Sequence, residues 1–524
     1  MHESTDRITK STINIIFGFT LQIVAIICGF LTRKIFLNTL GIDLQGIHAT
    51  LTSIITMLSL GDLGLSFAIY AALYKPIAQS DHGQIIAITN LCARLYRIVA
   101  GAIFAIGLLL LPFLHLFFNE ADLNIIDISY IRWVFVLFLA DCSVSYLFSY
   151  RWVLFNADQN MYIISRTNTV YTILMSAIQV VVVSISHSYV LFVLSKIVCV
   201  LVKNLYLTHV AGKKYDYLRW REKHVLNPDV KKSIYENTKA LALHRFGNYA
   251  ITGTDTLIIS KLVNISTAGI YSNYYMIITA VTQVATEFTN GVSASLGNIF
   301  VTESTDRTYA VFKNINFTNF MFYNFAAASI LTLVKPFISL WLGADYLLPF
   351  DTVIFLTLNF FNMGVAAPLG TIRANAGLFK PDRYLHILYA LLNLVISILL
   401  VRPLGISGVF IGTLASYIAK EVITLPVIVY RDIFALPVRR YYAMYFSYIA
   451  TGALSAVSTY LASLLLESLL SPLSLLVTIV MRAILCIVIP NAIAIILFWK
   501  TPELKNLITV ISSLCKKIFA KFSG

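Results

Sequence analysis

The sequence predicts an all-α integral membrane protein of about fourteen transmembrane helices in two similar halves, and three observations carry that expectation. The first is composition: 58% of the 524 residues are hydrophobic and only 12% are charged. With a mean hydropathy of +0.80, the chain lies outside the range of soluble domains. The second is run length. Apolar stretches are continuous over about 20 residues, enough to cross a hydrocarbon core as helix, and lack the alternation of a membrane β-strand. The third is internal similarity, since a shift of 223 residues lays Ile35, Ile42, Gly46 and Ile47 on Ile258, Ile265, Gly269 and Ile270, and Ile54, Ile55 and Thr56 on Ile277, Ile278 and Thr279. Isoleucine-rich chains also produce chance matches, so the duplication is an expectation for the structure to meet.

The N-terminal segment MHESTDRITKSTIN enters the first apolar run without a small-residue cleavage site, and it reads as a retained first span. Spans are expected near residues 11–37, 47–73, 89–113, 128–153, 165–186, 189–210, 240–262, 268–293, 309–334, 350–374, 384–402, 406–430, 439–466 and 473–499. With the chain starting inside, residues 74–88, 154–164, 211–239, 294–308, 375–383, 431–438 and both termini are cytoplasmic. Assigning each Lys and Arg to its nearer side then gives about 30 inside against about 9 outside, which is the asymmetry that orients membrane proteins.

The longest internal loop, Ala211 to Lys239, lies where a duplication needs a joint. Its basic clusters with Tyr215, Tyr217, Leu218 and Trp220 suit either of two roles. One is contact with an anionic inner leaflet, at roughly 1 kcal/mol per basic residue, and the other is a solvated linker obeying the charge rule. In the twelfth span Gly408, Gly412 and Ser416 recur at spacing four, a stripe that lets another helix come close. Pro368 in NMGVAAPLG and Pro490 in CIVIPNA interrupt apolar runs, and the former, beside Gly364 and Gly370, reads as a kink or as a hinge.

Charges inside the spans are the candidates for function, because a charged side chain at the centre of a lipid-facing helix costs about 2.5–3.5 kcal/mol on insertion scales. The stretch from His244 to Ile278 holds Arg245, Asp255 and Lys261. Their separations of 10 and 6 residues put them on different faces, so their partners must come from other helices. Lys196 and Lys203, seven apart, share one face of the sixth span. Arg33 and Lys34 close the first span and Arg482 lies in the fourteenth, completing a mainly basic set. Asp62, between Gly61 and Gly64 in SLGDLGLS, and Asp141 in the fourth span join Asp255 as the acidic residues that would balance charge or couple to an ion. Arg151, Lys335 and Arg402 sit near span ends, where their heads reach the interface.

Several classes are disfavoured. No HExxH, P-loop, GxSxG or dinucleotide fingerprint is present, which argues against an enzyme. Cys28, Cys92, Cys142, Cys199, Cys486 and Cys515 are scattered without CxxC spacing, so no metal site or disulfide framework is expected. A net charge of +14 points in a membrane chain to topology and not to nucleic acid. A basic cavity in a two-halved bundle fits carriage of an anion.

Residues 37–81, LNTLGIDLQGIHATLTSIITMLSLGDLGLSFAIYAALYKPIAQSD, and 254–277, TDTLIISKLVNISTAGIYSNYYMI, resemble the Wzx-type polysaccharide flippases of the multidrug/oligosaccharidyl-lipid/polysaccharide superfamily. The resemblance implies a MATE-like, V-shaped pair of six-helix lobes. Residues 1–210 would form the first lobe, 211–239 a cytoplasmic linker, 240–430 the second lobe, and 431–524 an extra helix pair with a cytoplasmic tail. It also implies movement of a polyprenyl-diphosphate-linked oligosaccharide, such as an O-antigen or capsule repeat unit, across the bacterial cytoplasmic membrane by alternating access. Arg33, Lys34, Lys196, Lys203, Arg245, Lys261 and Arg482 would then contact cargo. The expected partners are that lipid-linked glycan, membrane lipids and a polysaccharide polymerase, with the protein a monomer. No cofactor is expected, and coupling to H+ or Na+ is left open. One rival is a cation-coupled drug or metabolite antiporter, whose family commonly places an acidic residue in the first span. Here Thr5 to Asn38 holds only Asp6, outside the membrane. The other rival is a non-transporting scaffold for envelope assembly.

Overall fold

The computed structural model describes residues 2–59, 65–124, 126–219, 225–236, 238, 249, 253–302, 304–376, 378, 381, 384–469 and 475–522. Asp62, Arg245 and Trp220 lie outside the described residues. Among the described residues the chain is nearly all helix and contains no strand, as the continuous apolar runs require. Eleven described helices are long and apolar enough to cross a membrane, so the expected fourteen is not reached by them.

The shortfall has local causes. Helix α1 (His2–Leu58) carries the chain from the first expected span into the second, broken only at Gly41, whose φ of +84° is a conformation that side-chain-bearing residues resist. The second span resumes as the 14-residue α2 (Leu65–Ala78). Of the seventh span, residues 240–248 and 250–252 lie outside the described residues, and the helix α7 (Asp255–Leu262) is its described part. The eighth is α8 (Ile265–Thr302), long but interleaved with Ser, Thr, Asn and Gln.

Between them run α3 (His82–Leu110), α4 (Ile128–Ser149), α5 (Met161–Ser186) and α6 (Tyr189–Lys214). After α8 come α9 (Thr305–Trp341), α10 (Phe350–Asn375), α11 (Leu385–Leu404), α12 (Ile406–Asp432), α13 (Arg439–Leu469), α14 (Leu475–Phe498) and α15 (Pro502–Phe522). Contacts divide the chain into two compact units, Met1–Ser272 and Asn273–Gly524, with the division inside α8.

In the first unit α1 packs along α5, α5 on α6, α4 on α6 and α3 on α4. Phe36, Ile47, Leu51, Phe135 and Leu139 form one buried core, with the Phe36 ring 5.0 Å from that of Phe192. A second core gathers Leu65, Ile69, Ile88, Tyr96 and Phe155 with Tyr215 and Ile234. Part of the 211–239 loop is therefore packing. Tyr215 is 5% exposed and donates to Asp158 Oδ2 at 3.1 Å, while Tyr217 lies on His82 with ring centroids 4.4 Å apart. Burial, reinforced by the Asp158 carboxylate, pushes the Tyr217 phenol up to about 12. These two aromatics cover helices of the unit and are not free to lie on a leaflet.

In the second unit α9 packs on α10, α13 and α14, and α11 pairs with α12. The small-residue stripe meets α11: a Cβ on Gly408 or Gly412 would overlap Leu400 or Ser397, and Ser416 Oγ donates to the Tyr389 carbonyl at 2.9 Å. Asparagines add ties to α12, with Asn359 of α10 donating to Phe410 O at 2.9 Å and Asn393 of α11 to Thr413 Oγ1 at 2.9 Å. Helix α10 continues through Pro368, whose missing N–H deprives the carbonyl four residues back, that of Gly364. Asn319 Nδ2 donates to that carbonyl, and Gly364 packs directly on the Tyr323 ring. The sequence left kink and hinge open at Pro368, and the neighbouring helix here satisfies the backbone that the proline leaves bare.

Candidate functional site

The helices of the first unit gather most of its intramembrane charge. Arg33, eight residues before the break at Gly41, reaches across to the start of α8, where its Nη1 donates to Ser272 Oγ at 2.9 Å. Gln45, 2% exposed, donates to the same oxygen at 3.1 Å, and the Ser272 hydroxyl itself donates to the Gly269 carbonyl at 2.7 Å. That hydroxyl is saturated, with one donated and two accepted bonds. Lys34, the next residue, is exposed.

Helix α6 presents its two intramembrane lysines, Lys196 and Lys203, to neighbours. Lys196 Nζ lies 3.0 Å from Asp141 Oδ2 on α4 and 6.0 Å from the Phe138 ring centre. The other face of this group is His48 of α1, whose ring is 5.3 Å from that of Phe138 and whose Nδ1 is 3.2 Å from Tyr189 Oη. Two turns on, Lys203 stands over Tyr171 of α5 at 4.5 Å and over Trp152 at 5.8 Å. The spacing of seven places both cations on one face, where α4 supplies Asp141 to one and α5 supplies Tyr171 to the other. Asp141 Oδ1 is buried without a hydrogen-bond partner. One carboxylate of α4 thus pairs with a cation of α6.

Lys261 and Asp255 are placed differently. Asp255, 3% exposed, is the first residue of α7, where the helix dipole favours a carboxylate. Lys261, in the last turn, donates to the Phe118 carbonyl at 2.9 Å. The bend that follows is held by Asn119 Nδ2 on Val263 O at 3.0 Å and by the Ile265 N–H on Asp122 Oδ2 at 2.8 Å. Burial raises the Asp122 carboxyl, the Ile265 N–H opposes the rise and the nearby Asp43 carboxylate adds to it.

Here the internal similarity becomes geometric. Ser266 donates to Asp43, and the two are separated by the repeat shift of 223. A Cβ on Gly46 would overlap the Ile265 carbonyl, while one on Gly269 would stand 2.6 Å from the Ile42 carbonyl oxygen. Ile42 and Gly46 map onto Ile265 and Gly269 in the repeat, so each glycine admits the other copy's isoleucine backbone. Reciprocal contacts of this kind define a local two-fold relation.

In the second unit Arg482, 7% exposed, pairs with Glu467, joining α14 to α13. The sequence reading missed that partner, which falls one residue beyond the expected thirteenth span. It also missed Lys420 and Glu421, paired at 2.7 Å with side chains 13% exposed, inside a π-helical turn Ile418–Thr424 of α12. Adjacent opposite charges in mid-span were the available signal, and wide turns of this kind often mark functional positions. Among the residues expected at interfaces, Arg402 is exposed, Arg151 lies over the Tyr150 ring at 5.5 Å, and Lys335 lies over Phe350 at 5.8 Å.

A family model described as polysaccharide biosynthesis protein matches residues 11–293, more than half of the 524-residue chain. The chain belongs to the polysaccharide biosynthesis protein family. The matched region holds every candidate residue except Arg482. No curated protein matches the chain. Among solved structures, the family member is similar in fold to the lipid II flippase MurJ in an inward closed conformation, with a TM-score of 0.65, 12% identity, and coverage of 94% of this chain and 100% of that one. It is also similar to an inward-facing MATE family multidrug resistance transporter of the MOP superfamily, with a TM-score of 0.58, 11% identity, and coverage of 78% and 96%. A third is a MOP superfamily transporter from Pyrococcus furiosus, described as having reversed binding-pocket polarity, with a TM-score of 0.53, 14% identity, and coverage of 80% and 93%. The fold is thus that of the MurJ and MATE proteins, which are flippases and transporters and not enzymes.

Proposed function

We propose that this protein moves a polyprenyl-diphosphate-linked oligosaccharide across the bacterial cytoplasmic membrane by alternating access between two lobes. The observation that carries the reading is the excess of intramembrane cations in the first unit. Arg33, Lys196 and Lys203 stand on α1 and α6 with Asp141 the carboxylate paired among them. A diphosphate leaving water needs partners of opposite charge in a medium of low dielectric, and arginine and lysine supply them. Membership of a polysaccharide biosynthesis family and a MurJ-like fold support a lipid-linked glycan as the anion. Arg245, Lys261, Lys34 and Arg482 remain proposed cargo contacts, and Asp62, Asp141 and Asp255 proposed balancing or coupling groups, with a proton or sodium gradient as the energy source. The test is genetic and chemical: a strain lacking the gene should accumulate lipid-linked repeat units and lose the surface polymer. Normal polymer in a strain without redundant flippases would overturn the proposal.

A further inference from the structure

Antiparallel α5 and α6 leave a groove of about 450 Å³ between them, within the range of small-molecule sites. Its walls are aliphatic and open, with Leu174 57%, Val198 59% and Val202 61% exposed. Its polar groups are not scattered. Arg166, Thr167 and Tyr206 stand at one end, Lys203 lies about one turn deeper than Tyr206, and beyond it the lining runs through Met175 to Ile178 without a charge.

From Arg166 to Ile178 the helix rises about 18 Å, close to the depth of one leaflet, which is half of a hydrocarbon core about 30 Å thick. The charged end lies toward Met161 and Lys214, the helix termini that adjoin the basic 211–239 segment. An apolar slot one leaflet deep with a guanidinium at its mouth complements one particular ligand.

We propose that this groove binds one fatty acyl chain of an anionic glycerophospholipid, whose headgroup phosphate is held by Arg166 at the mouth. The tail lies along Leu174, Val198 and Val202, and the Lys203 ammonium adds to the local positive field. A polyprenyl chain is several leaflets long and would overrun the slot, so length selects a membrane phospholipid over the lipid carrier of a glycan. Lys203 is shared with the proposed cargo contacts, but the phosphate contact at Arg166 is not, so failure at Arg166 would leave the proposed function standing.

Native mass spectrometry of the full-length protein tests this with three probes: phosphatidylglycerol, phosphatidylethanolamine with the same acyl chains, and undecaprenyl phosphate. The wild type should retain phosphatidylglycerol about fivefold more tightly than phosphatidylethanolamine, the effect of one basic residue near a membrane surface. Arg166→Gln should abolish that preference, Val202→Trp should remove both lipids by filling the slot, and Arg402→Gln should leave both unchanged. In a variant keeping Cys199 as its only cysteine, phosphatidylglycerol should slow maleimide labelling in detergent and phosphatidylethanolamine should do so less. Equal retention of the two phospholipids by wild type, an intact preference in Arg166→Gln, or stronger protection of Cys199 by undecaprenyl phosphate would each overturn the proposal.

Discussion

Replacing Lys196 by methionine should separate the structural share of the Asp141 pair from its share in transport. The two groups are 3.0 Å apart, with side chains 36% and 16% exposed. Fully exposed pairs contribute about 0.2–1 kcal/mol, whereas removing one member of a fully buried pair costs about 3–5 kcal/mol. Intermediate burial places the loss near 2 kcal/mol, and Asp141 Oδ1 offers no second bond to cushion it. For a unit of a few hundred residues that corresponds to a fall in unfolding midpoint of about 4–8 °C. The double variant Lys196→Met/Asp141→Leu puts two apolar groups where the ions stood and should recover to within about 1 kcal/mol of wild type. Export should not recover, because the cation is still missing. Unfolding midpoints of purified protein, read beside surface polymer at matched membrane levels, give both quantities. A double variant as unstable as Lys196→Met alone, or full export by Lys196→Met, would refute this division of roles.

Four other outcomes follow from the same geometry. Arg33→Ala should lower export at unchanged membrane level, and Arg33→Lys should restore only part, since an ammonium is a point charge where the guanidinium is a fork; Lys335→Gln and Arg402→Gln should do little. Asn319→Leu strips the donor from the Gly364 carbonyl below Pro368 and should cost about 1–3 kcal/mol, with Pro368→Ala in that background restoring stability by returning an intrahelical N–H. Gly412→Leu should prise α11 from α12 and lower the unfolding midpoint, whereas Leu at the exposed Ile387 of α11 should not. A lone cysteine at Lys231 should resist an impermeant thiol reagent in intact spheroplasts, and rapid labelling would reverse the proposed orientation.

The fold was largely legible because membrane helices announce themselves through length and apolar continuity. The stripe Gly408, Gly412 and Ser416 indicated a close helix neighbour, and α11 occupies that place. The repeat shift foresaw that Gly46 and Gly269 are equivalent, and their reciprocal contacts with Ile265 and Ile42 follow from it. Two things were hidden. Tertiary partners leave no periodic trace, so nothing local to Pro368 pointed to Asn319, forty-nine positions upstream, as the donor for its orphaned carbonyl. Ion-pair partners were hidden in the same way: nothing local to Arg482 pointed to Glu467 on the preceding helix, and the adjacent Lys420 and Glu421 went unread until a π-helical turn placed them as a pair. Span counting also falters where one glycine joins two spans, as at Gly41 in α1.

The central claim is tested most directly by the sidedness of the lipid-linked glycan. Spheroplasts from a strain lacking this gene and any redundant flippase would be treated with an impermeant carbohydrate-modifying reagent, and the lipid-linked repeat units then extracted and compared with those of complemented cells. The account predicts that the units stay shielded in the deletion strain, become accessible when the wild-type chain is restored, and remain largely shielded when Arg33→Ala is supplied instead. Accessible repeat units in the deletion strain, with surface polymer at its normal level, would contradict it.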